Sequence, residues 1–191
     1  NRLLRERCQR QHDKLLELVE IARDNDRLAE RVQRLALSLL DARGGLDELL
    51  HGVKAIVRDE FKADCVALCL AVPPIVGLSA VGELLRPDVV GLFEAVFRAG
   101  RPQCGRLSRE QAEALFNESA CHAISAALIP LDGEAWRGLL AVGSSDVNRF
   151  YPGVGTLFLE RIGELIRQAL QARLLAERWR ATPDPPSARE G

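Results

Sequence analysis

From Arg2 to Arg43 the chain contains neither glycine nor proline, and its apolar residues keep one register throughout. Cys8, Gln11, Leu15, Leu18, Ala22, Asn25, Ala29, Val32, Ala36 and Leu39 are separated by alternating steps of three and four. That is a heptad seam, the pattern that winds one helix against another. Gln11 and Asn25 are polar positions within it, of the kind that fix register and partner number at some cost in stability. The same spacing also suits one long amphipathic helix packed on its own domain. Gly44-Gly45 ends the pattern.

A second helix is predicted from Leu46 to Phe61, with Leu46, Leu49, Leu50, Val53, Ile56, Val57 and Phe61 on one face. The run DCVALCLAV, Asp64 to Val72, reads as a strand apolar on both faces and therefore central in its sheet. Val66, Leu68, Leu70 and Val72 face one way; the smaller Cys65, Ala67, Cys69 and Ala71 face the other. PPIVGLSAVG is expected to hold a short partner strand, residues 87–99 a helix, and PQCGRL an extended piece. Ser108 with Gln111 three residues on predicts a capping box. Strands around Ser125–Leu131 and Arg137–Gly143, joined at Asp132-Gly133, predict an antiparallel hairpin. A final helix is expected from Val154 to about Arg180, with its own seam at Phe158, Ile162, Leu165, Ala169, Ala172, Ala176 and Trp179.

Composition removes several classes of function. A formal charge of −1 gives no electrostatic case for nucleic-acid binding. The basic stripe Arg23, Arg27, Arg31 and Arg34 is interleaved with Asp24, Asp26 and Glu30, as on a solvated helix face. No apolar run approaches the roughly 20 residues that span a bilayer. His12, His51 and His122 are scattered without ligand spacing, so no metal site is expected. There is no G-x-S-x-G elbow and no Walker motif. Gly153-Val154-Gly155 lies between a strand and a helix, but Phe158 stands where a dinucleotide fingerprint needs its third glycine. It is expected to be a turn into the last helix. The sequence contains no methionine, so Asn1 is not expected to be the natural start. Cys8, Cys65, Cys69, Cys104 and Cys121 are odd in number and form no C-x-x-C pair, which points to reduced thiols and a cytoplasmic protein.

The stretches LLELVEIARDNDRL, LALSLLDAR, CGRL at Cys104–Leu107, SAALIPL at Ser125–Leu131, and GLLAVGSSDVNRFYPGVGTLFLERIGELI from Gly138 to Ile166 resemble the bacterial family DUF484. That family is itself similar to GAF domains and carries an N-terminal helical lead. The resemblance implies an α+β fold: a GAF-like antiparallel sheet of six strands or fewer, flanked by helices, with long terminal helices forming a coiled coil or bundle. On this division residues 1–43 are the coiled-coil helix, 44–178 the GAF-like domain with its C-terminal helix, and 179–191 a disordered, proline-rich tail. Relatives that bind cyclic nucleotides carry an Asn-Lys, a Phe and a later acidic pair. Here Asn148-Arg149-Phe150 is followed by Tyr151-Pro152-Gly153 and no acidic pair, so that ligand is not implied.

The functional expectation is a non-enzymatic small-molecule sensor or regulatory domain, a homodimer through its terminal helices that signals to an unidentified protein partner. A ligand in a sheet pocket would meet Cys69, Cys104, Arg106, Ser125, Arg137 and Asn148; its identity, and any cofactor, is unknown. A scaffold with a self-filled pocket is a second reading. The third is a thiol oxidoreductase using Cys104, since Arg106 two residues on would favour the thiolate. Cys121 and His122 are adjacent, but neighbours diverge in a strand or a helix and cannot share a hydrogen bond. Trp136, beside the hairpin turn, is expected to cap the sheet edge.

Overall fold

A computed structural model describes residues 2–41, 44–71, 83–84, 87–116, 122–152 and 156–181. The chain divides into two compact units, Asn1–Arg34 and Leu35–Gly191. The first is helix alone, the greater part of α1 (Arg2–Asp41). Its seam is open to solvent: Leu15 and Leu18 are each 60% exposed.

In the second unit α2 (Leu46–Phe61) starts after Gly45, carries Asp47 and Glu48 in its first turn and Arg58 in its last, and so complements its own dipole at both ends. Leu46, Leu49, Leu50, Val53 and Val57 are buried at helical spacing. The helix stops at Lys62, whose φ of 48° is left-handed. Next come β1 (Cys65–Ala71), β2 (Glu83–Leu84), α3 (Pro87–Leu92), α4 (Glu94–Ala99), β3 (Gln103–Arg106) and α5 (Arg109–Phe116). The chain closes with β4 (Ser125–Asp132), β5 (Arg137–Ser144) and α6 (Leu157–Ala181).

The five strands are ordered β2-β1-β5-β4-β3. The β4–β5 hairpin closes from Asp132↔Arg137 to Ser125↔Ser144, and its turn is tied by Gly133 N–H donating to Trp136 O at 2.9 Å. β1 adds to β5 and β3 to β4, both antiparallel, so four strands form the antiparallel sheet expected, and the two-residue β2 pairs with β1 in parallel. The predicted partner strand within 73–82 lies outside the described residues, as do Gly153-Val154-Gly155 and the tail from 182.

Register sorts the side chains onto two faces. Cys65, Ala67 and Cys69 share a face with Leu139, Ala141, Ala126 and Leu128, and α3 to α5 cover it with Val89, Phe93, Val96, Phe97, Leu115 and Phe116. The other face presents Leu68, Leu140, Ile129 and Leu131; α2 packs on β1 and α6 on β4, with Val53, Val57, Ile162, Ile166 and Leu170 fully or almost fully buried. The single helix expected over 87–99 is broken at Phe93, whose φ −118° and ψ 13° are not helical. The break turns that ring into the core, where it is 0% exposed. The capping box forms as expected: Gln111 N–H donates to Ser108 Oγ, and Ser108 N–H to Gln111 Oε1, both at 3.1 Å.

Two glycines admit the covering layers. A Cβ at Gly163 of α6 would stand 2.7 Å from Ile129 Cγ2, and one at Gly143 of β5 would stand 2.8 Å from the Ala123 methyl and 2.9 Å from the Phe116 ring. Gly143→Ala is therefore expected to lower stability by about 1–3 kcal/mol through overpacking. A urea midpoint equal to that of the parent chain would contradict this packing.

Candidate functional site

The six residues expected around a sheet ligand are not brought together. Cys69 on β1 and Arg137 on β5 belong to the face beneath α3–α5. Cys104 and Arg106 on β3 and Ser125 on β4 belong to the opposite face, since Arg106 pairs with Ser125 and Cys104 with Ala127. Asn148 is exposed in the turn after β5. Each is also occupied or ordinary in its surroundings. Ser125 is fully buried and its hydroxyl donates to Asp146 O at 2.6 Å. Arg137 donates through Nε to Asp132 at 3.1 Å, with its guanidinium 5.0 Å from the centre of the Phe97 ring. Asn148 N–H donates to Asp146 Oδ1 at 2.9 Å.

The thiols differ from expectation. Cys65 is disulfide-bonded, which corrects the reading of five reduced thiols; Cys8, Cys69 and Cys104 are not in disulfides. Cys104 is half-buried, and burial pushes its thiol above the ordinary value, so the expected activation by Arg106 is not what the structure displays. Cys65 and Cys69 lie on the other face of the sheet, away from a Cys104 side chain that would need a resolving partner. His122 is exposed, and Cys121 lies outside the described residues. Among the described residues no three His, Cys, Asp or Glu side chains gather as a metal site.

The segment GSSDVNRF is instead a polar clasp. Asp64 Oδ2 accepts from Ser145 N–H at 2.6 Å, Ser145 Oγ at 2.8 Å and Ser144 Oγ at 3.1 Å. Arg149 donates to Lys62 O at 2.9 Å and to Phe61 O, satisfying carbonyls that the end of α2 leaves open. Phe61 in turn meets Phe158 of α6, ring centres 5.4 Å apart. The clasp thus ties the end of α2 and the start of β1 to the end of β5. Asp64 was not singled out in the sequence; an acidic residue opening a strand, answered by a distant Ser-Ser-Asp, is a weak signal.

Trp136 does not cap an edge. It is 7% exposed, and its Nε1–H donates to Gln171 Oε1 of α6 at 2.5 Å, which binds the hairpin to that helix.

Two cavities stand out among the described residues. One, of about 600 Å³, is open at the start of α5 between Ser108, Arg109, Glu113 and His122; its Arg109 and Glu113 are paired with each other. The other, of about 540 Å³, lies within the second unit between α2, α6 and the last turns of α1. Alanines dominate it, Ala36, Ala169, Ala172 and Ala176, with Leu49 and Leu165 behind them. Of its polar residues, Gln168 donates to Glu164 at 2.8 Å, and Arg173 has a partner of its own. Hydrogen bonds from Arg167 and then Gln168 hold the Glu164 carboxyl down to about 2.

Two measurements follow from this geometry. Cys104 should alkylate at neutral pH at least about tenfold more slowly than exposed Cys8, because the thiolate is the reactive form; equal rates would contradict its burial. The bonds from Ser145 and Ser144 hold the Asp64 carboxyl below its ordinary value. Its contribution is therefore fully present above the unfolded value of about 3.9 and is lost as pH falls through the lower folded one. Asp64 is exposed, so that contribution stays below about 1 kcal/mol. Asp64→Asn should flatten the fall in urea midpoint between pH 4 and pH 2 of about those values; an unchanged slope would show that the clasp does not couple to folding.

A family described as "Protein of unknown function, DUF484" matches residues 2–181. No curated protein matches the chain. Among solved structures, it is similar to the chromophore-binding domain of an unusual bacteriophytochrome, RpBphP3 from R. palustris, at 10% identity and a TM-score of 0.46. That similarity covers 80% of this chain and 62% of the other's length. Among the described residues no helix is long and apolar enough to cross a membrane. With a match that takes in both terminal helices and the whole sheet, the chain belongs to the DUF484 family.

Proposed function

We infer that the chain is a non-enzymatic, GAF-like regulatory and interaction domain that works as a homodimer through its terminal helices. The observation that carries this is the uncovered seam of α1. Leu15 and Leu18 are 60% exposed, and Leu16, Val19 and Ile21 beside them 53%, 45% and 49%. A helix of this length gains most of its stability from packing an apolar stripe, and an apolar patch of this kind marks an interaction site. A second α1 offers the same length and register. The signal would pass to a further protein partner, with neither nucleic acid nor membrane involved.

The sheet supports regulation through the helices better than chemistry. Burial raises the Cys104 thiol above its ordinary value, and among the described residues Cys65 and Cys69 lie on the opposite face of the sheet, which weighs against the oxidoreductase reading. A small molecule acting on the sheet would have to enter beneath α3–α5, where Phe93 and Phe97 now stand. Sensing of that kind would work by favouring one packing of the helices over another.

Native mass spectrometry of protein purified from its own host tests the sensing part: a retained small molecule supports it, and bare protein chain supports an interaction domain alone. For the dimer, Leu15→Glu with Leu18→Glu should lower far-UV helicity, since an unpartnered helix is marginal in water. Unchanged helicity would mean that α1 needs no partner.

A further inference from the structure

We propose that the disulfide at Cys65 is a redox-sensitive tie that holds the α5 cover on the sheet, so that a thiol reductant loosens that cover. This input is independent of how α1 is completed.

The partner follows from arithmetic. The chain has five cysteines: Cys8, Cys65, Cys69, Cys104 and Cys121. Cys65 is disulfide-bonded, whereas Cys8, Cys69 and Cys104 are not in disulfides. Cys65 is 3% exposed, which leaves little surface for a cysteine of another molecule. Cys121, which lies outside the described residues, is therefore the partner to be sought.

Described neighbours bring the right stretch of chain to Cys65. Cys65 stands opposite Gly143 in the β1–β5 pair and shares one buried cluster with Ala123 and Phe116. A Cβ on Gly143 would meet the Ala123 methyl at 2.8 Å and the Phe116 ring at 2.9 Å. Ala123 is two residues beyond Cys121. Two residues of chain reach about 7 Å, and a disulfide joins Cα atoms about 4.4–6.8 Å apart, so the sequence spacing allows the bond.

What the bond secures is otherwise weakly held. α5 has eight residues, of which Leu115 and Phe116 are buried. A helix that short does not stand alone in water. Gln111 adds one bond, donating to the Leu92 carbonyl at 3.1 Å. The α2 and α6 face of the sheet is packed without α5, so cutting the tie loosens the cover and leaves the unit folded. A chain that keeps three cysteines unbridged, the exposed Cys8 among them, is not stapled throughout as a disulfide scaffold is. A single bond in such a chain suits sensing better than stapling.

The exchange needs a thiol reductant such as glutathione. Its thiolate attacks one sulfur of the bond, forms a mixed disulfide and releases the other sulfur as thiolate. A second reductant thiolate then resolves the mixed disulfide. Two electrons and two protons pass to the chain, which ends with two thiols, and the reductant leaves as its own disulfide.

Peptide mapping of the full chain after equilibration with oxidised glutathione tests the pairing, and amide exchange across a glutathione titration tests the switch. A linked peptide carrying Cys65 and Cys121 is expected. Reduction by glutathione should speed exchange along residues 109–116 about tenfold or more, while β4 and β5 keep their protection. Cys121→Ser should exchange like the reduced parent with or without glutathione. A different pairing, or five alkylated thiols in the oxidised chain, overturns the tie. A bond that excess glutathione leaves intact, or α5 exchange that reduction of the parent chain does not alter, overturns the switch.

Discussion

The three central strands have no face left for water, and most of the molecule follows from that. β1, β4 and β5 are buried along nearly their whole length, so each must be covered twice. One face is kept shallow by Cys65, Ala67, Cys69, Ala126 and Ala141, which lets Phe93, Phe97 and Phe116 descend onto it. The other carries leucines and isoleucines against α2 and α6, with Gly163 allowing α6 to close on Ile129. A sheet filled from both sides by its own chain has little surface to give to a ligand.

The strength of the second unit also depends on polar ties at the ends of its elements. Asp64 and Arg149 bind the end of α2 to the turn after β5, and Trp136 binds the hairpin to α6 through Gln171. These groups lie where a binding site might be sought, at loops beside strand ends. Their hydrogen bonds are spent on the fold. Among the described residues most of the exposed large apolar side chains lie on helices, Leu15 and Leu18 of α1 and Leu175 and Trp179 of α6 among them.

Much of the architecture was legible in the sequence because it rests on local periodicity. The alternation in CVALCLA, the Ser108–Gln111 cap, the hairpin turn at Asp132-Gly133 and both terminal helices reappear in the structure. The parallel β1–β2 pair and the break at Phe93 did not follow from local pattern, since each is set by distant packing. The candidate site was less legible for a related reason. Cys69 and Cys104 are equally plausible ligand contacts until register is known, and register places them on opposite faces. Asn148, Arg149 and Phe150 resemble a binding motif by type, yet Arg149 caps α2 and Phe150 is buried. Residue type announces what a side chain can do, while tertiary context decides whether it is free to do it.

The central claim is that the helices, not the sheet, are the working surface, and that α1 is completed by another copy. Amide hydrogen exchange followed at two protein concentrations tests this most directly. Protection along residues 8–32 and near Trp179 should fall on dilution, while the amides of β4 and β5 keep theirs. Rapid exchange along α1 at both concentrations, or protection there that dilution leaves unchanged, would contradict the account.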